Sequence, residues 1–310
     1  MKGALIMPKS IGYIDYYLDE WHANNYQRFI NEAGFGDEFQ VTHAYGVIDY
    51  PDYGNSKTWV DGKGYQYVPG AKQALSTDEW CAKNDVMRAR SIAEVVEKCD
   101  YIVVFSPDNT ELHEALCQVP LRSGKPIFVD KAFAPDKATA ERIFALAQAH
   151  NTPLFSSSSL RFSKEMAAIP RQNIEYIGVR GNGDHHDYII HMLEPLYAIM
   201  DAHPTHLMVQ SSLKTHIVTF KYADGRLATI QMASGGSAEN PFEFGAMVRY
   251  MDDNMHVTDF SGFFEGFIPE MLKFFRTGQS PVKAADTIAI ASAYGTSKQG
   301  ILQPGVWLEL

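Results

Sequence analysis

The sequence predicts two domains, one with a doubly wound parallel α/β sheet and one of α+β type with an open, mainly antiparallel sheet and flanking helices. In the first half, short apolar runs alternate with helical patterns, which is typical of βαβ units. From about residue 161 the strands lengthen and alternate apolar with polar residues, as in a sheet with one solvated face. We therefore predict domains at residues 1–160 and 161–310, with the final helix and strand as candidates to pack back on the first domain.

The first half follows a regular order of strands and helices. A buried strand is predicted over residues 4–7, and the helix after it would carry apolar residues three and four positions apart: Ile11, Ile14, Leu18 and Trp21. Ser91 and Glu94 form a capping box that marks a later helix start. Further apolar runs predict the other buried strands: residues 101–105, 127–129 and 153–155. Residues 50–83 form a loop-rich interval, and loops of that length are often functional.

The second half carries the signals of paired strands. An Asp-Gly pair at residues 224–225 predicts a tight hairpin between two alternating strands. Residues 242–250 repeat the period of two, and a helix follows with apolar residues on one face: Phe264, Ile268, Met271 and Phe275. The chain ends in a further helix and a short strand at residues 306–308.

The bulk composition excludes several classes of protein. The 310 residues are 45% hydrophobic and 21% charged, as in an ordinary globular protein. A net charge of −10 disfavours nucleic-acid partners, which require clustered Lys and Arg. The early apolar run at residues 4–7 is too short for a membrane span or a secretory signal. The odd set of cysteines, Cys81, Cys99 and Cys117, has no metal-type spacing, so we expect reduced thiols and a cytoplasmic protein.

Lys131 is a candidate for chemistry because of its place at a strand end. Ligands of an open parallel sheet bind beyond the carboxyl ends of the strands, and three segments are predicted to arrive there: residues 8–12, 106–109 and 130–131. A lysine desolvated in such a crevice can serve as an acid, a base or an electrostatic clamp. The alternative from the pattern alone is a solvent-exposed lysine.

Asp187 and His191 are four residues apart and would share one face of a helix. A carboxylate beside an imidazole orients it, which makes His191 a candidate proton donor and acceptor. The alternative is an ordinary surface pair that stabilises the helix. His185 and His186 add further ligand types for a divalent ion, but the spacing matches no zinc signature, so no metal site is predicted.

The phosphate-binding turn of a dinucleotide fold should follow the first strand. After the strand predicted at residues 4–7, only Gly12 stands at a glycine position of the G-x-G-x-x-G pattern. Lys9 and Ser10, at the predicted helix start, could still hold an anionic group through free amides and the helix dipole.

Several ordered motifs resemble the Gfo/Idh/MocA (glucose-fructose oxidoreductase/inositol dehydrogenase) family. A strand at residues 99–105 leads to Ser106-Pro107, where the family has a Thr-Pro-Asn turn, and His113 follows in the next helix. Residues 124–132 end in Asp-Lys-Ala, where the family has Glu-Lys-Pro. Asp187 and His191 resemble the family's Asp-x-Gly-x-His helix, and the resemblance covers most of residues 87–310.

The resemblance implies a Rossmann-like first domain that binds NAD or NADP and a second domain that binds a sugar-like substrate. It implies a catalytic group formed by three residues: Lys131, Asp187 and His191. With the strand-end pattern it gives a set of cofactor-binding candidates: Lys9, Ser10, Gly12, Ser106, Pro107, Asn109, His113 and Lys131. The substrate-binding candidates are Lys131, Arg161, His186 and His191. The family also implies a homo-oligomer, a dimer or a tetramer.

Three functions follow from this combination. The first is an NAD(P)-dependent oxidoreductase that moves a hydride between a nicotinamide and a sugar, polyol or related hydroxy compound. The second is a redox-neutral enzyme on the same fold, such as an epimerase or a lyase, which the altered glycine turn favours. The third is a non-catalytic ligand-binding descendant, because a fold alone does not fix function.

Overall fold

The structure is a computed structural model that describes residues 8–49, 57–60, 64–67, 74–233 and 244–310. Its internal contacts divide the chain into two compact units. The first takes the described residues up to Asp130, with Ile143–Phe155 and Met271–Ser280. The second takes Lys131–Arg142, Ser156–Glu270 and Pro281–Leu310. The predicted division at residue 160 assigns residues 131–142 and 156–160 to the first domain, whereas the contacts assign them to the second unit.

The elements up to residue 155 alternate strand and helix. The strands are β1 (Lys9–Asp15), β2 (Phe39–Gly46), β3 (Lys57–Val60), β4 (Gly64–Tyr67), β5 (Met87–Arg88), β6 (Tyr101–Val104), β7 (Ile127–Val129) and β8 (Leu154–Phe155). The helices are α1 (Trp21–Glu32), α2 (Thr77–Asn84), α3 (Ile92–Lys98), α4 (His113–Leu116) and α5 (Lys137–Ala149). Strands β3 and β4 pair only with each other, and the remaining strands form one parallel sheet in the order β5-β2-β1-β6-β7-β8. The predicted parallel sheet is confirmed.

Strand β1 corrects the predicted start of the fold. Ile11 and Ile14 lie within β1 rather than on a helix, and the strand predicted at residues 4–7 falls outside the described residues. Both isoleucines are fully buried, because β1 lies between β2 and β6 and has both faces covered. The physical reason for the error is that residues three apart fit a helical face and also an apolar strand buried on both sides. Helix α1 starts at Trp21, so the turn after the first strand comprises residues 16–20.

The other predicted elements of the first half are largely present. Strands β6, β7 and β8 lie where their apolar runs predicted them. Ser91 caps α3 by accepting a hydrogen bond from the Glu94 amide, but the Glu94 carboxylate bonds the Arg90 amide instead of completing the box. Within the interval read as loop, α2 has a complete capping box formed by Ser76 and Glu79.

The elements after residue 155 build the second sheet and its helices. The strands are β9 (Ile174–Asn182), β10 (His206–Ser212), β11 (Thr215–Lys221), β12 (Leu227–Ala233), β13 (Gly245–Tyr250), β14 (Asn254–Val257) and β15 (Trp307–Glu309). The helices are α6 (Lys164–Ala168), α7 (His185–Met200), α8 (Phe263–Thr277) and α9 (Ala284–Leu302). The sheet order is β14-β13-β9-β12-β11-β10-β15, with β9 and β12 parallel and the other neighbours antiparallel.

Helix α7 covers the buried face of this second sheet and packs against β9 and α9. The predicted hairpin is present, with Gly225 at a φ of +90° between β11 and β12. At the end of the chain, β15 pairs with β10, and residues 281–310 belong to the second unit. Among the described residues, the helices are all too short or too polar to span a bilayer.

Gly12 is a packing glycine of β1, so Gly12→Ala is expected to destabilise the protein by about 1–3 kcal/mol through overpacking. A Cβ at this position would meet the Val95 side chain and would lie 2.9 Å from Cys99 Sγ. Urea unfolding measures the change. Gly36→Ala is the matched control, because its Cβ would meet the flexible side chain of exposed Asn31, and we expect a change within about 1 kcal/mol. Equal effects of the two substitutions would contradict the packing role.

Candidate active site

In the second unit, His191 is held by a hydrogen bond to a serine. His191 lies on α7, whose N-terminus is capped by Asp184 through the His186 amide at 2.9 Å. The Nδ1 atom of His191 lies 2.7 Å from Ser158 Oγ. Ser158 Oγ also accepts a hydrogen bond from the Leu160 amide at 3.3 Å, which fixes the hydroxyl. The imidazole therefore has a defined orientation.

The buried carboxylate of Glu194 anchors this serine segment. Glu194 accepts hydrogen bonds from the Ser158 amide at 3.2 Å and from the Ser157 hydroxyl at 3.0 Å. Arg161 Nε donates to the same carboxylate at 2.6 Å. Glu194 is only 4% exposed, so the pair is desolvated and depends on these hydrogen bonds for its stability. One network thus connects Arg161, Glu194, Ser158 and His191.

Arg161 retains binding capacity beyond this pair. Its side chain is 11% exposed, and its Nη2 atom is buried without a hydrogen-bond partner among the residues that the structure describes. A buried guanidinium N–H without an acceptor is costly, and a ligand oxygen would satisfy it. The predicted substrate residue Arg161 therefore has a donor atom that no described residue uses.

The other predicted residues of this unit have different surroundings. Asp187 and His186 are exposed on the first turns of α7. His185 is buried, with Nε2 3.2 Å from Ser297 Oγ, and burial and the nearby His216 lower its pKa to about 3. Lys131 is half-buried, and the residue after it, Ala132, lies in the hydrophobic cluster with Leu160 and Ile190. Sequence reasoning missed Ser158 and Glu194.

The side chains with metal-ligand chemistry at the start of α7 do not point to a common position. His185 points into the interior toward α9, while His186 and Asp187 are exposed. Within the described part of the chain, no group of three or more His, Cys, Asp or Glu side chains is arranged to hold a metal ion.

In the first unit, three neighbouring strands end in buried polar residues. Asp15 ends β1, Ser106 follows β6 and Asp130 follows β7, and the Asp130 amide donates to Val104 O at 2.9 Å. The strand order reverses between β1 and β6, where open sheets bind their ligands. Each of the three residues is at most 1% exposed and has a side-chain oxygen without a hydrogen-bond partner among the described residues.

The turn between β1 and α1 is closed by Glu20. Its carboxylate caps α1 by accepting hydrogen bonds from the His22 amide at 2.8 Å and from the Ala23 amide. The same carboxylate lies 2.8 Å from Nδ1 of His22, whose Nε2 lies 3.8 Å from Asp130. His22 is thus held between two carboxylates.

Burial and nearby carboxylates shift the pKa values of two groups at this corner, Asp15 and Tyr26. Burial raises the pKa of Asp15 well above its ordinary value, and the charges of Glu20 and Asp130 raise it further. Burial likewise raises the pKa of Tyr26, with contributions from Asp130 and Glu20. Both shifts favour the protonated form, so the surroundings of Asp15 and Tyr26 disfavour additional negative charge.

The residues of this turn do not fit the pyrophosphate of a dinucleotide. The segment from Asp15 to Trp21 contains no glycine, and the first amides of α1 are occupied by Glu20. Lys9 and Ser10 do not supply an alternative, because they lie at the start of β1 and bond Asp100. The predicted place of Lys9, Ser10 and Gly12 after the first strand, at a helix start, is corrected, because all three lie within β1.

The segment after β6 lies where the sequence predicted it. Ser106 has a φ of +80°, and its carbonyl accepts a hydrogen bond from the Asn109 amide at 3.1 Å, so Ser106, Pro107 and Asn109 form a turn beyond the strand end. His113 is fully buried, with Nε2 2.7 Å from Phe105 O. The histidine therefore braces the turn, and its ring faces a backbone carbonyl.

Glu194→Gln is expected to destabilise the protein by about 3–5 kcal/mol, because it leaves the buried Arg161 charge without its anion. Chemical denaturation measures the change. Glu175→Gln is the matched control: Glu175 is 61% exposed and lies 3.6 Å from Arg249, so we expect a loss below about 1 kcal/mol. Equal losses would mean that the buried pair adds nothing beyond a surface pair.

Asp15→Asn is expected to stabilise the protein increasingly as the pH rises. The pKa of Asp15 is raised in the folded state. The protonated carboxyl therefore contributes fully to the stability of the wild type at low pH, and this contribution is lost as the pH rises from the unfolded-state pKa through the folded-state pKa. Asparagine does not titrate. The melting temperature of the variant minus that of the wild type is therefore expected to increase between about pH 4 and pH 8. Asp37→Asn, on the surface of the same unit, controls for the substitution itself. A constant difference would contradict the buried-carboxyl interpretation.

Comparison with known proteins gives one family match. The model of the Gfo/Idh/MocA oxidoreductase family, an NAD-binding Rossmann fold, matches residues 67–158. No curated protein matches the sequence.

Solved structures match the whole chain at low identity. The myo-inositol 2-dehydrogenase from Lactobacillus plantarum is 13% identical with a TM-score of 0.73, covering 98% of this chain and 99% of that chain. The apo scyllo-inositol dehydrogenase from Lactobacillus casei is 12% identical with a TM-score of 0.70, covering 97% and 98%. The biliverdin reductase from Synechocystis sp. PCC 6803, solved with biliverdin and NADP+, is 13% identical with a TM-score of 0.65, covering 94% and 99%.

These likenesses show the fold, and the family match supplies the class. The predicted fold class is confirmed, the predicted resemblance is confirmed over residues 67–158, and the matched family is one of oxidoreductase enzymes with an NAD-binding Rossmann fold. Over residues 67–158, this chain is therefore similar to the NAD-binding oxidoreductases of the Gfo/Idh/MocA family.

Proposed function

We propose that this chain is an enzyme that acts at a hydroxyl-bearing carbon of a sugar, polyol or related hydroxy compound. The single observation that carries the proposal is the oriented imidazole of His191, held 2.7 Å from Ser158 and anchored through Glu194 and Arg161. An imidazole in a fixed orientation is the usual general acid and base near neutral pH. The inositol dehydrogenases among the structural neighbours support the substrate class.

In this proposal His191 takes or gives the hydroxyl proton of the substrate. Ser158 Oγ accepts a hydrogen bond from the Leu160 amide, and in this proposal it also accepts one from Nδ1–H of His191, which orients the ring and leaves Nε2 free to take the substrate proton. Asp187, four residues earlier on α7, is the proposed assisting carboxylate. The pair thus carries out proton transfer at the substrate oxygen.

Lys131 and Arg161 are the proposed groups that bind and stabilise the substrate. The Lys131 ammonium would stabilise the negative charge that develops on the oxygen as its proton leaves. Arg161 Nη2 offers an unused donor to a substrate oxygen. His186, exposed on the first turn of α7, is a further proposed substrate contact.

Two reactions use these groups. In the family reaction NAD or NADP would supply hydride transfer, and the proposed contact to it would be the turn formed by Ser106, Pro107 and Asn109. The second candidate is a redox-neutral epimerisation or elimination with the same acid and base. The acidic turn at Asp15 and Glu20 specifically favours this second candidate, because it does not fit a pyrophosphate.

The assembly and the compartment remain proposals of the family resemblance. A homo-oligomer, a dimer or a tetramer, is supported by apolar side chains exposed on the second sheet: Ile217, Leu227 and Met247. A cytoplasmic location is supported by the free cysteines, Cys81, Cys99 and Cys117.

Incubation with inositols, aldoses and aldonic acids in heavy water, with and without NAD+ or NADP+, separates the two reactions. Reduction of the nucleotide identifies the dehydrogenase. Deuterium incorporation or isomer formation without nucleotide identifies the redox-neutral enzyme. A protein inert toward all of them in both conditions would support the non-catalytic ligand-binding alternative.

Lys131→Ala is expected to lower kcat/KM for the identified substrate by about 100-fold or more, because positioned proton-transfer and charge-stabilising groups contribute that much. Steady-state kinetics measure the loss, and circular dichroism verifies the fold. Lys137→Ala is the matched control, since Lys137 is exposed at the start of α5 in the same unit, and its activity should equal the wild type. Retained activity in Lys131→Ala would remove the lysine from the reaction.

A further inference from the structure

We propose that the β1–α1 turn of this chain is closed to the pyrophosphate of a dinucleotide, so that the protein does not take up NAD or NADP through the contacts that a Rossmann fold normally uses. The proposal rests on the first unit alone, and so it is independent of the roles given to Lys131 and His191. It concerns a departure of this chain from the cofactor that its family implies.

The helix N-terminus that would receive the phosphate is already occupied. A phosphate binds there through the free first-turn amides and the positive end of the helix dipole. In this chain Glu20 takes the amides of His22 and Ala23, and its negative charge already satisfies the dipole. An incoming phosphate would have to displace a carboxylate that is covalently fixed beside the site.

Two further backbone amides of the turn are also used within the protein. The Tyr16 amide donates to Asp15 Oδ1 at 2.6 Å, and the Glu20 amide donates to Leu18 O at 2.8 Å. Asp19 turns outward to accept hydrogen bonds from the Asn24 side chain and the Leu75 amide. In a phosphate-binding turn, glycines let the backbone approach the ligand with its amides directed at it. Here the amides of Tyr16 and Glu20 are directed at acceptors of the protein itself.

The charge at the corner also opposes a phosphate. Asp15, Glu20 and Asp130 converge on it, and Asp15 and Asp130 are buried with an oxygen that lacks a hydrogen-bond partner in the described part of the chain. Such oxygens accept protons and hydrogen bonds, whereas a pyrophosphate brings only further acceptors and negative charge. His22, the basic group at the corner, is held between Glu20 and Asp130. Both ring nitrogens of His22 therefore already face carboxylates of the protein.

Direct titration of the full-length wild type tests the proposal without requiring a substrate. Isothermal titration calorimetry with NAD+, NADH, NADP+ and NADPH is expected to give no saturable binding up to about 1 mM, the upper end of ordinary enzyme affinities for their ligands. A cooperative thermal unfolding transition of the same sample verifies that the protein is folded. Saturable binding of any of the four nucleotides below that concentration would overturn the proposal.

A variant tests the stated cause. Glu20→Ser keeps a neutral cap for α1 and removes the charge, so we expect it to bind ADP, the probe for the diphosphate group, at least about tenfold more tightly than the wild type. Ser91→Ala removes the cap of α3 elsewhere in the same unit and is the matched control, with no gain expected. A folded Glu20→Ser variant without any gain would contradict the role of the Glu20 charge. If that variant does not fold, the wild-type titration alone decides.

The same experiments distinguish this inference from the proposed function. Nucleotide binding together with nucleotide-dependent turnover would overturn the closed turn and leave the roles of Lys131 and His191 intact. Turnover without nucleotide, combined with no binding, would support both. Unchanged turnover in Lys131→Ala would contradict the proposed function while leaving the titration result as it stands.

Discussion

The arrangement of the polar groups in the second unit depends on the buried carboxylate of Glu194. It receives Arg161, the Ser157 hydroxyl and the Ser158 amide, and through Ser158 it fixes the ring of His191. A charge in the interior is stable only when nearly all of its hydrogen-bonding capacity is used. The need to satisfy Glu194 therefore determines the position of the segment that precedes Arg161, and that segment in turn orients the imidazole.

The first unit uses a buried carboxylate for the opposite purpose. Glu20 also accepts several hydrogen bonds, but it occupies a place that a phosphate occupies in other proteins of this fold. The two units thus share one physical principle, the satisfaction of a desolvated anion by local donors. In the second unit it prepares a side chain for chemistry, and in the first it fills a binding position with the protein's own group.

The sequence predicted the fold class because strand and helix periodicity survive divergence, but it misplaced the first strand. Ile11 and Ile14 fit both periodicities, and only the pairing of β1 with two neighbours decides between them. Once that strand is placed, Asp15 and Glu20 stand at the phosphate turn. Two acidic residues next to an apolar strand were the signal in the sequence that could have indicated this acidic turn.

Only some of the residues around His191 in the second unit were predicted from the sequence. His191 and Arg161 stood out by motif, whereas Ser158 and Glu194 act through contacts that a linear sequence does not display. Glu194 was still detectable, since it is a lone charge between Leu193 and Pro195 on an otherwise apolar helix face, and such a charge needs a buried partner. The partner itself, more than thirty residues away, is defined only by the fold.

The division of the chain between the units has a consequence for work with fragments. Residues 131–142 belong to the second unit although they precede the last strand of the first, and Met271–Ser280 returns to the first unit from the final part of the chain. A single cut at any position would therefore remove part of at least one unit, and the fragment would expose apolar surface that its missing segment covers. The chain forms two compact units, but no single position in the sequence separates them.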